Sequence, residues 1–189
     1  MLLCIKYNNI IKNMQEIFIK ITDVFSPELR EKLENLCTEN KLEVMFSYIS
    51  DYRSTWLLRN YISELCSMCN LDKTWISRIT LITDELNNNA IEYWSKQWEY
   101  NKMIFKLKKS WDYIDLEIDV EDTWNWINPK TSKDMLKLKE QKEKKGFDWY
   151  MWIRWRWLFL IIDKIADSLE FEDIKDWGLR VIVKKRIKK

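Results

Sequence analysis

Residues 72–93 read DKTWISRITLITDELNNNAIEY, and this stretch decides the fold. Ile76, Ile79, Ile82, Leu86, Ala90 and Tyr93 recur every three or four residues, the spacing of one face of an α-helix. Asp84, Glu85, Asn88 and Asn89 fall off that apolar stripe. A helix that buries one face needs a layer to bury it against, and the flanking sequence supplies strands. Residues 42–50 (LEVMFSYIS) are bulky and β-branched, and read as one strand. Residues 102–108 and 113–120 read as two more, around a turn at 109–112 that has the length of a hairpin loop.

The rest of the chain extends this core. Residues 17–21 read as a short strand, and Ser26-Pro27-Glu28 opens a helix to about 39, with Ser as N-cap and Pro at the first helical position. After a polar break at 51–55, a helix over 56–68 carries Leu57, Leu58, Tyr61, Ile62 and Leu65. Residues 126–151 are polar and Lys-rich with little apolar periodicity, so they read as a long loop. A helix over 157–168, a strand over 168–172, a turn at 176–178 and a strand over 179–185 complete the chain. This order predicts an α+β two-layer sandwich, a mixed β-sheet with helices on one face. Residues 1–41 read as an N-terminal extension and 42–187 as the main domain.

Composition narrows the chemistry. The chain has 189 residues, 47% of them hydrophobic, with 32 Lys and Arg against 30 Asp and Glu. That charge balance does not point to nucleic acid, although residues 184–189 are locally basic. No apolar run approaches the roughly 20 residues of a membrane span, and residues 1–5 are too short for a signal peptide, so a cytoplasmic protein is expected. There is no histidine. This excludes Ser-His-Asp and Cys-His catalysis, histidine metal ligands and a phospho-accepting histidine, leaving carboxylates, Lys, Arg, hydroxyls, amides or an oxygen-held metal. Cys66 and Cys69 have C-x-x-C spacing on a predicted helix, where reduced, packed thiols are the expected state.

Glycine and tryptophan are out of proportion. The chain has 2 Gly and 12 Trp, whereas about 13 glycines are expected at the usual ~7%. Tight turns and helix C-caps call for glycine. The tryptophans instead gather in short polar segments. Three of these segments carry candidate chemistry. Glu85 and Asn89 in ELNNNA sit at i and i+4 and project from one helix face, where a carboxylate and an amide oxygen can share a hydrated Mg²⁺; the plainer alternative is a polar helix edge. Asp122-Thr123-Trp124-Asn125-Trp126 leaves a strand into a turn, where an Asp can accept a hydrogen bond from a ligand amine. Trp152-Ile153-Arg154-Trp155-Arg156-Trp157 lies at a helix start. A helix N-terminus attracts phosphate, but bulky indoles block the backbone approach that glycine would permit.

With each of these tryptophans read as glycine, the segments become ELNNNAIEYG, DTGNG and GIRGRGLFLI. They then resemble the N box, the Asp-x-Gly-x-Gly box and the glycine-rich lid box of the GHKL (Bergerat-fold) ATPases, in order and on the expected elements. The nearest branch is the anti-sigma-factor serine/threonine kinases. The resemblance spans about 42–187, and its simplest account is that UGA codons meaning glycine have been rendered as tryptophan. Trp94, Trp111 and Trp177, at turns or a helix end, join the candidate glycines; Trp56, Trp75, Trp98 and Trp149 are weaker cases.

The resemblance implies a Bergerat ATP-binding fold with ATP and Mg²⁺ as cofactors and residues 127–157 as the ATP lid. Glu85 would be the catalytic base or orient the acceptor, and Asn89 would hold Mg²⁺ through the phosphates. Asp122 would bind the adenine amine. Glycines in place of Trp124 and Trp126 would admit the base, and those in place of Trp152, Trp155 and Trp157 would wrap the phosphates, with Arg154 and Arg156 as phosphate contacts. Gly178-Leu179 stands where the family often has Gly-Thr, which puts that adenine contact in doubt. The implied activity is phosphorylation of Ser or Thr on an anti-anti-sigma (STAS-like) partner, together with sequestration of a sigma factor. A homodimer is implied, with no direct nucleic-acid or membrane partner. Two alternatives stand beside it: an ATP-responsive binding module without kinase activity, or, with genuine tryptophans, a Trp/Arg-rich membrane-surface or single-strand nucleic-acid binder. The glycine reading predicts UGA codons at these positions and glycine in native peptides covering 124–126 and 152–157. Tryptophan there by mass spectrometry overturns it.

Overall fold

The computed structural model describes residues 16–21, 26–95, 99–122, 131–145, 162, 164–174 and 178–189. The strands are β1 (Glu16–Lys20), β2 (Lys41–Ile49), β3 (Tyr100–Lys109), β4 (Tyr113–Glu121), β5 (Ser168–Asp173) and β6 (Leu179–Lys188). They form one sheet in the order β1-β2-β3-β4-β6-β5. The β1–β2 pair is parallel and the others are antiparallel, so the sheet is mixed. The helices are α1 (Pro27–Cys37), α2 (Tyr52–Met68), α3 (Lys73–Asn89) and α4 (Ser132–Lys145), and a π-helical turn, Ala90–Trp94, prolongs α3. This is the expected α+β architecture.

Alternation along the strands builds the core. Leu42, Val44, Phe46 and Tyr48 of β2 are buried, and Leu107, Phe105, Met103 and Asn101 of β3 stand directly opposite them. Leu116, Ile118 and Val120 of β4 and Val183 and Val181 of β6 continue the same rows. Leu33 and Leu36 of α1, Leu58, Ile62 and Leu65 of α2, and Ile79, Ile82 and Leu86 of α3 join them in one hydrophobic cluster. Tyr61 of α2 meets Phe46 edge-on, with ring centroids 6.1 Å apart. Ile19, Ile21, Leu33 and Leu36 tie residues 16–37 into this same core.

The caps explain where the helices begin. Ser26 Oγ accepts the Leu29 N–H, with Pro27 at the first turn. Asp51 accepts the Arg53 N–H at 2.8 Å, so α2 starts at Tyr52, four residues before the expected start at 56. Asp72 accepts from Thr74 and Trp75 and starts α3. At the end of α2, Asn70 takes φ 60°, and the Leu71 and Asn70 N–H groups return to Cys66 and Ser67 carbonyls. This Schellman turn normally uses glycine, and asparagine substitutes for it here.

Two segments differ from the expected reading. Residues 132–145 form a helix inside the stretch read as a loop. Its start is a reciprocal cap: the Asp134 N–H donates to Thr131 Oγ1 at 3.2 Å, and the Thr131 N–H donates to Asp134 Oδ2 at 3.1 Å. Ser132 also donates through its N–H and its hydroxyl to the Asp173 carboxylate, pinning α4 beside β5. The last strand runs to Lys188, three residues further than its apolar pattern. Most of the helix expected over 157–168 lies outside the described residues; Ile162, Lys164 and Ile165 are helical, and Ser168 already belongs to β5.

The other face of the sheet is a lattice of cross-strand ion pairs. Lys106 bridges Glu117 and Asp119, Lys102 and Arg180 both bind Glu121, Arg186 binds Asp115, and Lys184 binds Glu170. Burial pushes the Asp119 carboxyl up against the pull of Lys106. At Glu121 burial also pushes upward, but the bonds from Lys102 and Arg180 prevail and hold its carboxyl below the ordinary 4.5. Glu121 therefore stabilises the fold above its unfolded pKa, and this contribution is lost as pH falls through the lower folded value. Glu121→Gln should be less stable than the parent at pH 7, with the gap closing at pH 3 in urea titrations. In the core, Leu86→Ala should cost about 2–5 kcal/mol in the same measurement.

Candidate functional site

Asp122 directly follows β4 and is 6% exposed. Its Oδ1 accepts the Leu179 N–H at 2.9 Å, and its own N–H donates to the Leu179 carbonyl at 3.2 Å. The carboxylate is therefore fixed by the first residue of β6. Gly178 makes this approach possible: a Cβ there would stand 2.9 Å from the Asp122 carbonyl oxygen and 2.7 Å from Ile174 Cδ1. The requirement at 178 is close packing between two backbones. The sequence pair Gly178-Leu179 thus engages Asp122 through main-chain atoms, which the side chain of Leu179 does not affect.

Polar side chains gather beside Asp122 on the helix-facing side of the sheet. Tyr48 and Asn101 are paired across β2 and β3, and both are fully buried. The Ser95 hydroxyl, just past the π-turn, donates to Asn101 Oδ1 at 2.5 Å, which leaves the Asn101 amide nitrogen to face elsewhere. Among the described residues, that Nδ2, the Tyr48 hydroxyl and the nearby Ser50 hydroxyl are buried without a well-aligned hydrogen-bond partner. Burial pushes the Tyr48 hydroxyl far above its ordinary value; the Asn101 amide opposes this and the Asp122 charge reinforces it. Buried polar atoms of this kind mark a place where water or a ligand completes the bonding. Tyr48, Ser95 and Asn101 were not singled out from sequence. An asparagine at a core-facing position of an otherwise apolar strand is the signal that could have found them.

Glu85 and Asn89 share one edge of α3. The Asn89 side-chain amide donates to the Glu85 carbonyl at 2.5 Å, and Asn89 is 3% exposed, so it is a buried group. Two turns of polar residues surround the pair. Asn87 donates to Thr55 at 2.8 Å, Thr55 donates to Asn88 at 3.3 Å, and Asp84 pairs with Arg59. Burial raises the Asp84 carboxyl, with Arg59 opposing. The π-turn that follows changes the pitch of the chain between Asn89 and Ser95, and such turns recur at functional sites. Among the described residues no three of His, Cys, Asp and Glu form a metal-holding group. A Mg²⁺ would thus need ligands beyond such a cluster, and Asn89 with phosphate oxygens is a combination of that kind.

Trp124, Trp126, Trp152, Arg154, Trp155, Arg156 and Trp157 lie outside the described residues, as do Trp98, Trp149 and Trp177. Of the others, Trp111 is 96% exposed in the β3–β4 turn and Trp56 is 65% exposed on α2. Trp75 packs against the core, with Arg78 and Lys185 over its ring at 4.9 and 5.7 Å. Asn70 is the one described non-glycine residue with positive φ, so the backbone at Trp94 and Trp111 is of a kind any residue adopts. No helix of the described residues is long and apolar enough to cross a membrane. No family model matches the chain, and no curated protein does. Gly178→Ala should destabilise the protein by about 1–3 kcal/mol and displace Asp122. Urea unfolding reads the first effect, and the loss of slow exchange at the Leu179 amide reads the second.

Proposed function

We propose that the chain is an ATP- and Mg²⁺-binding domain of the Bergerat type, acting as a serine/threonine kinase on an anti-anti-sigma partner and sequestering a sigma factor as a homodimer. The observation that carries this reading is the anchored Asp122. It is a buried carboxylate held at a strand end by a neighbouring backbone, beside a glycine that has no room for a Cβ and beside buried, underused polar atoms. That arrangement suits the exocyclic amine and ring edge of a purine, where direction matters and bulk water is absent.

ATP would supply the transferable phosphoryl group and Mg²⁺ would offset its charge, so the chain's own work is positioning and electrostatics. Asp122 would accept from the base. Asn89, next to the π-turn, would help hold the metal, and Glu85 one turn earlier would orient the hydroxyl of the acceptor Ser or Thr or take its proton. Residues 127–157 would cover the phosphates, with Arg154 and Arg156 as cationic contacts and α4 as an ordered part of that segment.

The test is titration of the natively translated protein with ATP and Mg²⁺ by calorimetry, beside Asp122→Ala and Glu85→Ala. ATP binding should be lost in Asp122→Ala, by tenfold or more in affinity, and retained in Glu85→Ala. With an anti-anti-sigma protein as acceptor, Glu85→Ala should lower phosphate transfer by at least 100-fold. Absence of ATP binding by the parent protein overturns the proposal. ATP binding with equal transfer by parent and Glu85→Ala removes Glu85 from the chemistry.

A further inference from the structure

Three buried thiols lie at the end of the helical layer opposite the polar site. Cys37 is the last residue of α1, Cys69 caps the C-terminus of α2, and Cys66 sits one turn before it. The Cys69 thiol donates to Cys37 Sγ across 2.7 Å. That separation exceeds the ~2.05 Å of a disulfide bond by only about 0.65 Å. The Schellman turn at Asn70 fixes Cys69, and the exposed turn 38–40 begins directly after Cys37. Lys109 hydrogen-bonds the Cys37 carbonyl from the far end of β3, nine strand positions from Tyr100.

The pair is chemically asymmetric. The hydrogen bond from Cys69 lowers the Cys37 thiol's pKa, against its burial, and the Lys109 charge adds to the lowering. The same hydrogen bond, followed by burial, raises Cys69. Burial also raises Cys66. One sulfur is thus disposed to be the nucleophile, the second is a proton donor aimed at it, and the third is inert.

We propose that Cys37 and Cys69 are an oxidative modification site that closes into a reversible disulfide when the protein meets a hydroperoxide. The Cys37 thiolate attacks one oxygen of hydrogen peroxide, the O–O bond breaks, and the departing hydroxide takes a proton to become water. Cys69 sulfur then attacks the Cys37 sulfenic sulfur, the S–O bond breaks, and the second oxygen leaves as water with the Cys69 proton. Two thiols are oxidised and one peroxide is reduced to two waters. The product staples the end of α1 to the end of α2 and closes a loop that includes β2. This inference does not depend on the nucleotide reading.

The experiment treats the reduced full-length protein with hydrogen peroxide, quenches with catalase, blocks free thiols with N-ethylmaleimide in guanidinium chloride so that the buried ones react, and maps peptides without reduction. The expected result is a protein lacking two blocked thiols, a Cys37–Cys69 linked peptide, full reversal by dithiothreitol, and retention of the link in Cys66→Ser. The melting temperature should rise on the order of 5–10 °C on oxidation. In Cys69→Ser, a Cys37 sulfenic acid should be trapped by dimedone. Four blocked thiols after peroxide, or a link that uses Cys4 or Cys66 in place of this pair, overturns the proposal. The peptide map of the parent protein decides it even if a serine variant fails to fold.

Discussion

The meeting of Asp122 with the start of β6 is the constraint on which the site depends. Two main-chain hydrogen bonds in opposite senses, one of them to a carboxylate, hold the end of β4 against Leu179. They form because residue 178 has no Cβ, and an added methyl would press on the Asp122 carbonyl itself. A side-chain obstacle could rotate away; a backbone obstacle in the middle of a six-stranded sheet cannot move without shifting the β4–β6 register. Asp122 is placed by that contact with Leu179, while the β2–β3 register sets Tyr48 opposite Asn101. The π-turn after α3 delivers Ser95 to the edge of this group, which links the strand end to the helix that carries Glu85 and Asn89.

The two faces of the sheet are stabilised by different physics. On the helix side, alternate apolar residues from all six strands and from helices α1 to α4 exclude water. On the other, charges of opposite sign stand in neighbouring rows of β3, β4, β6 and β5. Each exposed pair contributes little alone, but shared partners such as Lys106 and Glu121 couple the rows. Ile104, Asp119 and Ile182 lie in one row across three strands of this face, each less than a tenth exposed. A buried carboxylate between two isoleucines is tolerable because Lys106 stands 2.9 Å from it.

Much of this was legible in the sequence because the signals were periodic. The helix of 72–93, the hairpin around 109–112 and the strand at 42–50 each declare themselves by apolar spacing. The features that escaped depend on single polar residues. Asp51 moves the start of α2 into a segment that reads as a break, and the Thr131–Asp134 cap builds α4 from a Lys-rich stretch that offers little beyond Met135 and Leu138 to the core. Asn101 hides inside an apolar strand pattern. Asn89, read as lying off the apolar stripe, is buried all the same, because the sheet's polar end lets a helix bury amides as well as methyls. The glycine-rich readings at 124–126 and 152–157 rest on motif order and lie outside the described residues.

The Asp122–Leu179 contact joins residues 57 positions apart, whereas the hairpin that presents Asp122 closes locally. During synthesis β3 and β4 can pair long before β6 exists. The carboxylate then waits, solvated and undirected, until residue 179 has left the ribosome. A nascent chain, or one cut before Gly178, can therefore carry most of the sheet and yet have no oriented Asp122. The orientation of Asp122 is therefore set only when β6 joins the sheet, whatever has already formed around it.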